Sequence, residues 1–126
     1  MAPTILLIDD DDAFIELFEV FLHMVEPSAK LYHAQNMKDA LSLYEEMLNK
    51  DNRPDLTVID YNLKSAKGTD VAMHILDVDP YASITLLSAS TTANQINEAE
   101  EMGLVGVVEK SYKFKETVEN LLALTR

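Results

Sequence analysis

Four consecutive aspartates, Asp9 to Asp12, follow an apolar run near the start of the chain. Three more such runs end in residues able to do chemistry: Asp60, Ser88 and Lys110. Carboxylates gathered within a few ångströms repel one another strongly. A hard divalent cation resolves that repulsion. Mg²⁺ can do so with two or three acids, because it keeps several of its waters. A lysine and a hydroxyl beside that metal make a pocket for a phosphoryl group. A carboxylate in the pocket can itself attack phosphorus and hold the product as an acyl phosphate. Taken singly, these residues say little. Asp9 to Asp12 alone would be a solvated loop, with Asp12 capping a helix. A lone strand-end serine, or a lone lysine, is routine. The chemistry requires a fold that brings them together.

The chain's 126 residues suit one domain, residues 1–126, with one core. There is no cysteine, hence no disulfide framework and no thiolate metal site. No apolar run approaches the ~20 residues of a membrane helix. Met1-Ala2-Pro3 lacks the features of a signal peptide. A soluble cytoplasmic protein is expected, with no membrane association. The formal net charge of −12 disfavours direct binding to nucleic acid.

Hydrophobic periodicity supplies the elements. Thr4 to Ile8 reads as a buried strand, and Phe14, Leu17, Phe18, Phe21, Leu22 and Val25 as an amphipathic helix closed by Pro27. Lys30 to Ala34 is a weaker strand. Met37, Ala40, Leu41, Tyr44 and Leu48 mark a second helix, with Asn36 a candidate N-cap. Leu56 to Ile59 is a strand ending at Asp60, and Val71, Ala72, Ile75 and Leu76 give a third helix. Ile84 to Leu87 is a strand ending at Ser88. Ala93, Ile96, Ala99 and Met102 suggest a fourth helix stopped by Gly103. Val105 to Val108 is a fifth strand, and Phe114, Val118, Leu121 and Leu122 a last helix. Alternating strands and helices imply a parallel sheet covered on both faces. Right-handed crossovers favour the doubly wound (βα)5 order 2-1-3-4-5. In that order Asp9, Asp10, Ser88 and Lys110 can all converge on Asp60. His23, His33 and His74 have no metal-ligand spacing, the methionines read as core filler, and Glu98, Glu100 and Glu101 read as a solvated helix face.

Ile-Leu-Leu-Ile-Asp-Asp, Asp-Leu-Thr-Val-Ile-Asp, Ile-Thr-Leu-Leu-Ser-Ala and Gly-Val-Val-Glu-Lys, in that order, resemble the landmarks of bacterial response-regulator receiver domains, a CheY-like family of flavodoxin-like fold. Gly68 stands where that family usually has a loop glycine. The resemblance covers essentially the whole chain. It implies that Asp60 is the phosphoacceptor, that Asp9 and Asp10 hold Mg²⁺ with Asp60, and that the Asn62 backbone carbonyl is a further ligand. It implies that Ser88 and Lys110 bind the phosphoryl group. The partners it implies are a sensor histidine kinase or phosphotransfer protein upstream, and an effector protein or domain downstream. Such a domain is a signalling switch, catalysing only its own phosphorylation and dephosphorylation.

Three positions depart from the family pattern: Lys64 and Ser111 replace usual prolines, and Val107 replaces a frequent aromatic. A cis Lys110–Ser111 bond would cost about 2.5–4 kcal/mol, so a trans bond is expected. Val107 has one stiff torsion and little reach, so output is expected through backbone shifts near Ser88 and Lys110. Competing readings are a Mg²⁺-dependent aspartyl-nucleophile phosphatase, a flavin-binding module and a non-phosphorylated docking module. Asp10 to Phe14 does not fit the Asp-x-Asp-x-Thr/Val phosphatase motif, and four aspartates would repel a flavin phosphate. The intact acids argue against the docking module.

Overall fold

The computed structural model describes residues 2–111 and 113–126; Met1, read above with Ala2 and Pro3, lies outside them. Five strands and five helices alternate: β1 (Thr4–Ile8), α1 (Asp12–Val25), β2 (Lys30–Ala34), α2 (Met37–Asn49), β3 (Leu56–Asp60), α3 (Gly68–Val78), β4 (Ile84–Ser88), α4 (Ala93–Met102), β5 (Gly106–Glu109) and α5 (Phe114–Ala123). The strands are parallel in the order β2-β1-β3-β4-β5. This is the flavodoxin-like doubly wound sheet expected from the sequence.

Burial follows from position in the sheet. β1, β3 and β4 are covered on both faces and buried throughout, whereas β2 and β5 form the edges. Alternation along the strands then divides the core in two. Ile5, Leu7, Val58 and Leu87 pack with α1 and α5 on one face. Leu6, Ile8, Ile59 and Leu86 pack with α2, α3 and α4 on the other. Phe18, wholly buried in the first layer, would cost about 3–5 kcal/mol on truncation to alanine.

The helix termini explain several differences from the periodic reading. Asp11, not Asp12, caps α1, its carboxylate accepting from the N–H groups of Ala13 and Phe14. Asn36 caps α2 as expected. A reciprocal capping box between Thr92 and Gln95 starts α4, and Gly103, at φ 73°, ends it. The box supplies partners for the polar atoms of buried Gln95; Gln95 and Ala99 face inward while Ile96 is exposed, so Ile96 is not part of the core face. Leu17 is likewise exposed on α1. Met47 is buried, but Met24 and Met73 are exposed, so the methionines are only partly core filler. β5 begins and ends one residue later than its apolar run, because Val105 is an exposed entry residue whose N–H already bonds to Ile84.

At the sheet end opposite Asp60, Asp79 is buried and fully engaged. It accepts from Tyr44 Oη at 2.7 Å, Arg53 Nε at 2.8 Å and Nη2 at 3.0 Å, and the Tyr81 N–H at 3.1 Å. Burial, then the bond to Asp79, pushes the Tyr44 phenol well above its ordinary pKa. This network ties α2, α3 and the loop before β3 together.

Candidate functional site

The register of the sheet builds the site. Ile8 pairs with Ile59, so Asp9 and Asp60 leave adjacent strands side by side. Asp9 is fully buried and Asp60 nearly so. Carboxylate oxygens of Asp9, Asp10 and Asp60 all lie within 4.8 Å of one another. Lys110 follows β5, and its Nζ stands 2.9 Å from Asp9 Oδ2 and 3.4 Å from Asp60 Oδ2. A cavity of about 460 Å³ opens over these groups, bordered by Asp10 to Ala13, Asp60, Lys64 and Lys110.

The electrostatics are unbalanced. Burial, with Asp9 adding to it, raises the Asp60 pKa, against the opposing pull of Lys110 and the Asn62 N–H. Burial opposes the charge on Lys110, but pairing with Asp9 and then Asp60 outweighs it and raises the lysine's pKa. One ammonium thus serves two buried carboxylates beside a third. Buried Asp9 Oδ2 is balanced by the Lys110 ammonium at 2.9 Å, which it shares with Asp60. Three clustered acids with one ammonium between them fit a hard divalent cation such as Mg²⁺.

The remaining positions are held by main chain. The Asn62 N–H donates to Asp60 Oδ1 at 3.3 Å, and Asn62 bridges Lys67 across the loop. Gly68 opens α3 against β3, where a Cβ would lie 2.4 Å from the Asp60 carbonyl oxygen; no larger residue fits without backbone movement. Ser88 ends β4 as expected, but its hydroxyl is turned to its own loop, donating to Ser90 O at 3.0 Å and accepting from Ser90 N at 3.2 Å. Asp9, Asp10, Asp60 and Lys110 are therefore brought together directly, and Ser88 stands beside them, engaged elsewhere.

The family departures have physical consequences. The Lys64 N–H donates to Asp10 Oδ2 at 2.7 Å. Proline there would have no N–H to give. Ser111 donates from its N–H to Thr117 Oγ1 at 3.2 Å, and its own hydroxyl accepts from Lys113 N at 3.0 Å. The Lys110–Ser111 bond is trans. Val107 packs against the α2–α3–α4 face of the core.

Sequence reading missed two contacts. Lys110 Nζ lies 4.3 Å from the centroid of the Phe14 ring, which fixes the ammonium from below. Glu98 is not simply solvated: it accepts a hydrogen bond from Tyr61 Oη at 2.5 Å and raises that phenol's pKa. A period-3.6 pattern cannot reveal either, because each joins residues far apart in the chain.

A doubly wound sheet with clustered acids and a lysine outside its C-terminal strand ends places this molecule among the α/β proteins whose ligand crevice lies at those ends. The profile of the response regulator receiver domain matches residues 5–122, and the chain belongs to that family. It is 26% identical over 114 residues to the probable C4-dicarboxylate response regulator DctR of Priestia megaterium, covering 90% of this chain and 48% of that protein. The chain thus spans about half the length of that relative. Against the chemotaxis protein CheY of Thermotoga maritima it is 26% identical over 115 residues, covering 91% of this chain and 92% of that one. The structure of Vibrio cholerae CheY4 superposes with a TM-score of 0.84 at 17% identity, over 100% of both chains, a likeness of fold. The chain is thus a CheY-like receiver domain of the two-component type, and receiver domains are signalling modules. Among the described residues no helix is long and apolar enough to cross a membrane.

Proposed function

We propose that residues 1–126 act as one receiver unit in which Asp60 is the phosphoacceptor. The observation that carries this is a nearly buried carboxylate flanked by Asp9, Asp10 and Lys110 in one crevice of a receiver-family fold. A histidine kinase or phosphotransfer protein, presenting a phosphohistidine, is the donor. An Asp60 oxygen bonds to phosphorus as the P–N bond breaks, and the imidazole, already protonated on its other ring nitrogen, leaves as the neutral ring. Lys110 stays beside the Asp60 oxygen and stabilises the added negative charge. Ser88 gives up Ser90 and turns its hydroxyl to a phosphoryl oxygen.

Asp9, Asp10, Asp60 and the Asn62 carbonyl would hold Mg²⁺, which when bound offsets charge on the carboxylates and the phosphoryl group. Asp11 N–H, at 2.9 Å from Asp9 Oδ1, orients the Asp9 carboxylate for that task. The altered surface is read by an effector protein or domain in the cytoplasm. The reaction is performed on the protein itself, with no substrate turned over for release.

Incubation with acetyl phosphate, with and without Mg²⁺, tests this by intact mass. One hydroxylamine-labile phosphoryl group should appear with Mg²⁺ and be lost in Asp60→Asn, because an amide is a poor nucleophile. Equal labelling of Asp60→Asn would refute the assignment.

A further inference from the structure

Tyr61 directly follows Asp60, and its main chain is clamped on both sides. Its N–H donates to Leu87 O and its carbonyl accepts from the Gly68 N–H, each at 2.9 Å. The next residue, Asn62, donates to the Asp60 carboxylate. The Tyr61 ring packs on the α2–α3–α4 side of the core, in the same layer as Val107. Its hydroxyl reaches Glu98 in the second turn of α4 at 2.5 Å. A bond this short between a phenol and a carboxylate is charge-assisted, and its strength falls steeply with distance.

The helix at its far end is lightly held. Of α4 only Gln95 and Ala99 are buried. Elements with few buried contacts are those that move at low free-energy cost. The loop entering α4 is closed by the paired Ser88–Ser90 bonds. The helix is therefore tied to the phosphoacceptor region in two places: at its entry through Ser88, and at its second turn through Tyr61.

We infer that the Tyr61–Glu98 hydrogen bond is a latch that holds α4 while Asp60 is unmodified, and that reaction at Asp60 releases it. The inference rests on Asp60 being the phosphoacceptor. Phosphoryl transfer to Asp60 Oδ1, the oxygen that accepts from the Asn62 N–H, forms an acyl phosphate, weakens that acceptor and displaces the Asn62 peptide bonded to it. Tyr61 lies between the two and moves with them. Val107 has no polar atom with which to hold or release the helix, so Tyr61 supplies that handle.

Beryllofluoride with Mg²⁺, a mimic of the phosphoryl group, provides the test. Its affinity and the α4 amide chemical shifts would be measured for wild type, Tyr61→Phe, Glu98→Ala and the double variant. Tyr61→Phe keeps the ring and its packing, so the fold is retained. A latch made only in the unmodified state opposes activation, so removing it should tighten beryllofluoride binding about fivefold or more. Without the mimic, α4 amides of Tyr61→Phe should already shift part of the way towards the wild-type mimic-bound positions. The double variant should bind no more tightly than either single one, since the two residues act as a pair. Wild-type affinity and unshifted α4 amides in Tyr61→Phe, or additive effects in the double variant, would overturn the latch and leave the phosphoacceptor reading standing. If wild type itself fails to bind the mimic, both readings fall.

Discussion

Replacing Asp10 by asparagine separates the electrostatics of the site from its packing. The amide oxygen still accepts from the Lys64 N–H, so the 2.7 Å bond survives. What is lost is one charge from a cluster whose oxygens lie within 4.8 Å of one another. At that distance each like-charged pair repels by about 0.9 kcal/mol in bulk water and about 3.5 kcal/mol at an effective permittivity of 20. Asp10 repels both Asp9 and Asp60. It is half-exposed, which favours the aqueous figure, and the nearby Lys110 offsets part of the sum. The metal-free variant should therefore be more stable than wild type by about 1–2 kcal/mol. For a domain of this size that corresponds to a melting temperature about 3–10 °C higher. Mg²⁺ should erase the advantage. At a concentration a hundred times the wild-type Kd, wild type gains about 2.7 kcal/mol, and a variant binding tenfold more weakly gains about 1.4 kcal/mol. Melts in EDTA and across a MgCl₂ series would show the two curves converging. A variant less stable than wild type in EDTA would make Asp10 a structural residue. A gap that ignores Mg²⁺ would remove the metal from the account.

Three other perturbations probe the frame around the site. Gly68→Ala should destabilise by about 1–3 kcal/mol, since its Cβ meets the Asp60 carbonyl oxygen at 2.4 Å; it should also slow labelling by acetyl phosphate, and a wild-type urea midpoint with wild-type labelling would contradict this. Lys64→Pro removes the N–H that orients Asp10 and should weaken Mg²⁺ binding, as followed by titration, with about 0.5–1.5 kcal/mol lost in the metal-free protein. Tyr44→Phe tests the buried network by pH. The Tyr44 pKa is raised in the folded protein by burial and by Asp79, so its stabilising contribution is complete below the unfolded value near 10 and is lost as pH rises above it. The wild-type lead over Tyr44→Phe in urea midpoint should thus be largest near pH 8 and shrink by pH 11; a constant lead would count against the linkage.

The alternation of strands and helices and the identity of the acids at the strand ends were legible from residues alone, because those features are local. The sheet order is not local; it followed from the right-handed crossovers that an alternating β-α chain must make. Buried parallel strands such as Leu56–Ile59 are continuous apolar runs, and turn residues such as Pro54 and Gly103 punctuate them. The convergence of Asp9, Asp10, Asp60 and Lys110 follows from the order 2-1-3-4-5, because register leaves little freedom at the C-terminal edge. Tertiary structure alone decided the rest. Packing of α4 buries Gln95 and Ala99 and leaves Ile96 exposed, against the apolar spacing through Ile96. The orientation of the Ser88 hydroxyl towards Ser90 depends on loop geometry. Asp79 with Tyr44 and Arg53, Lys110 on Phe14, and Tyr61 with Glu98 join residues 26 to 96 positions apart. Polar side chains pair in space with whatever the packed elements place within about 3 Å, and one-dimensional periodicity carries no record of that distance.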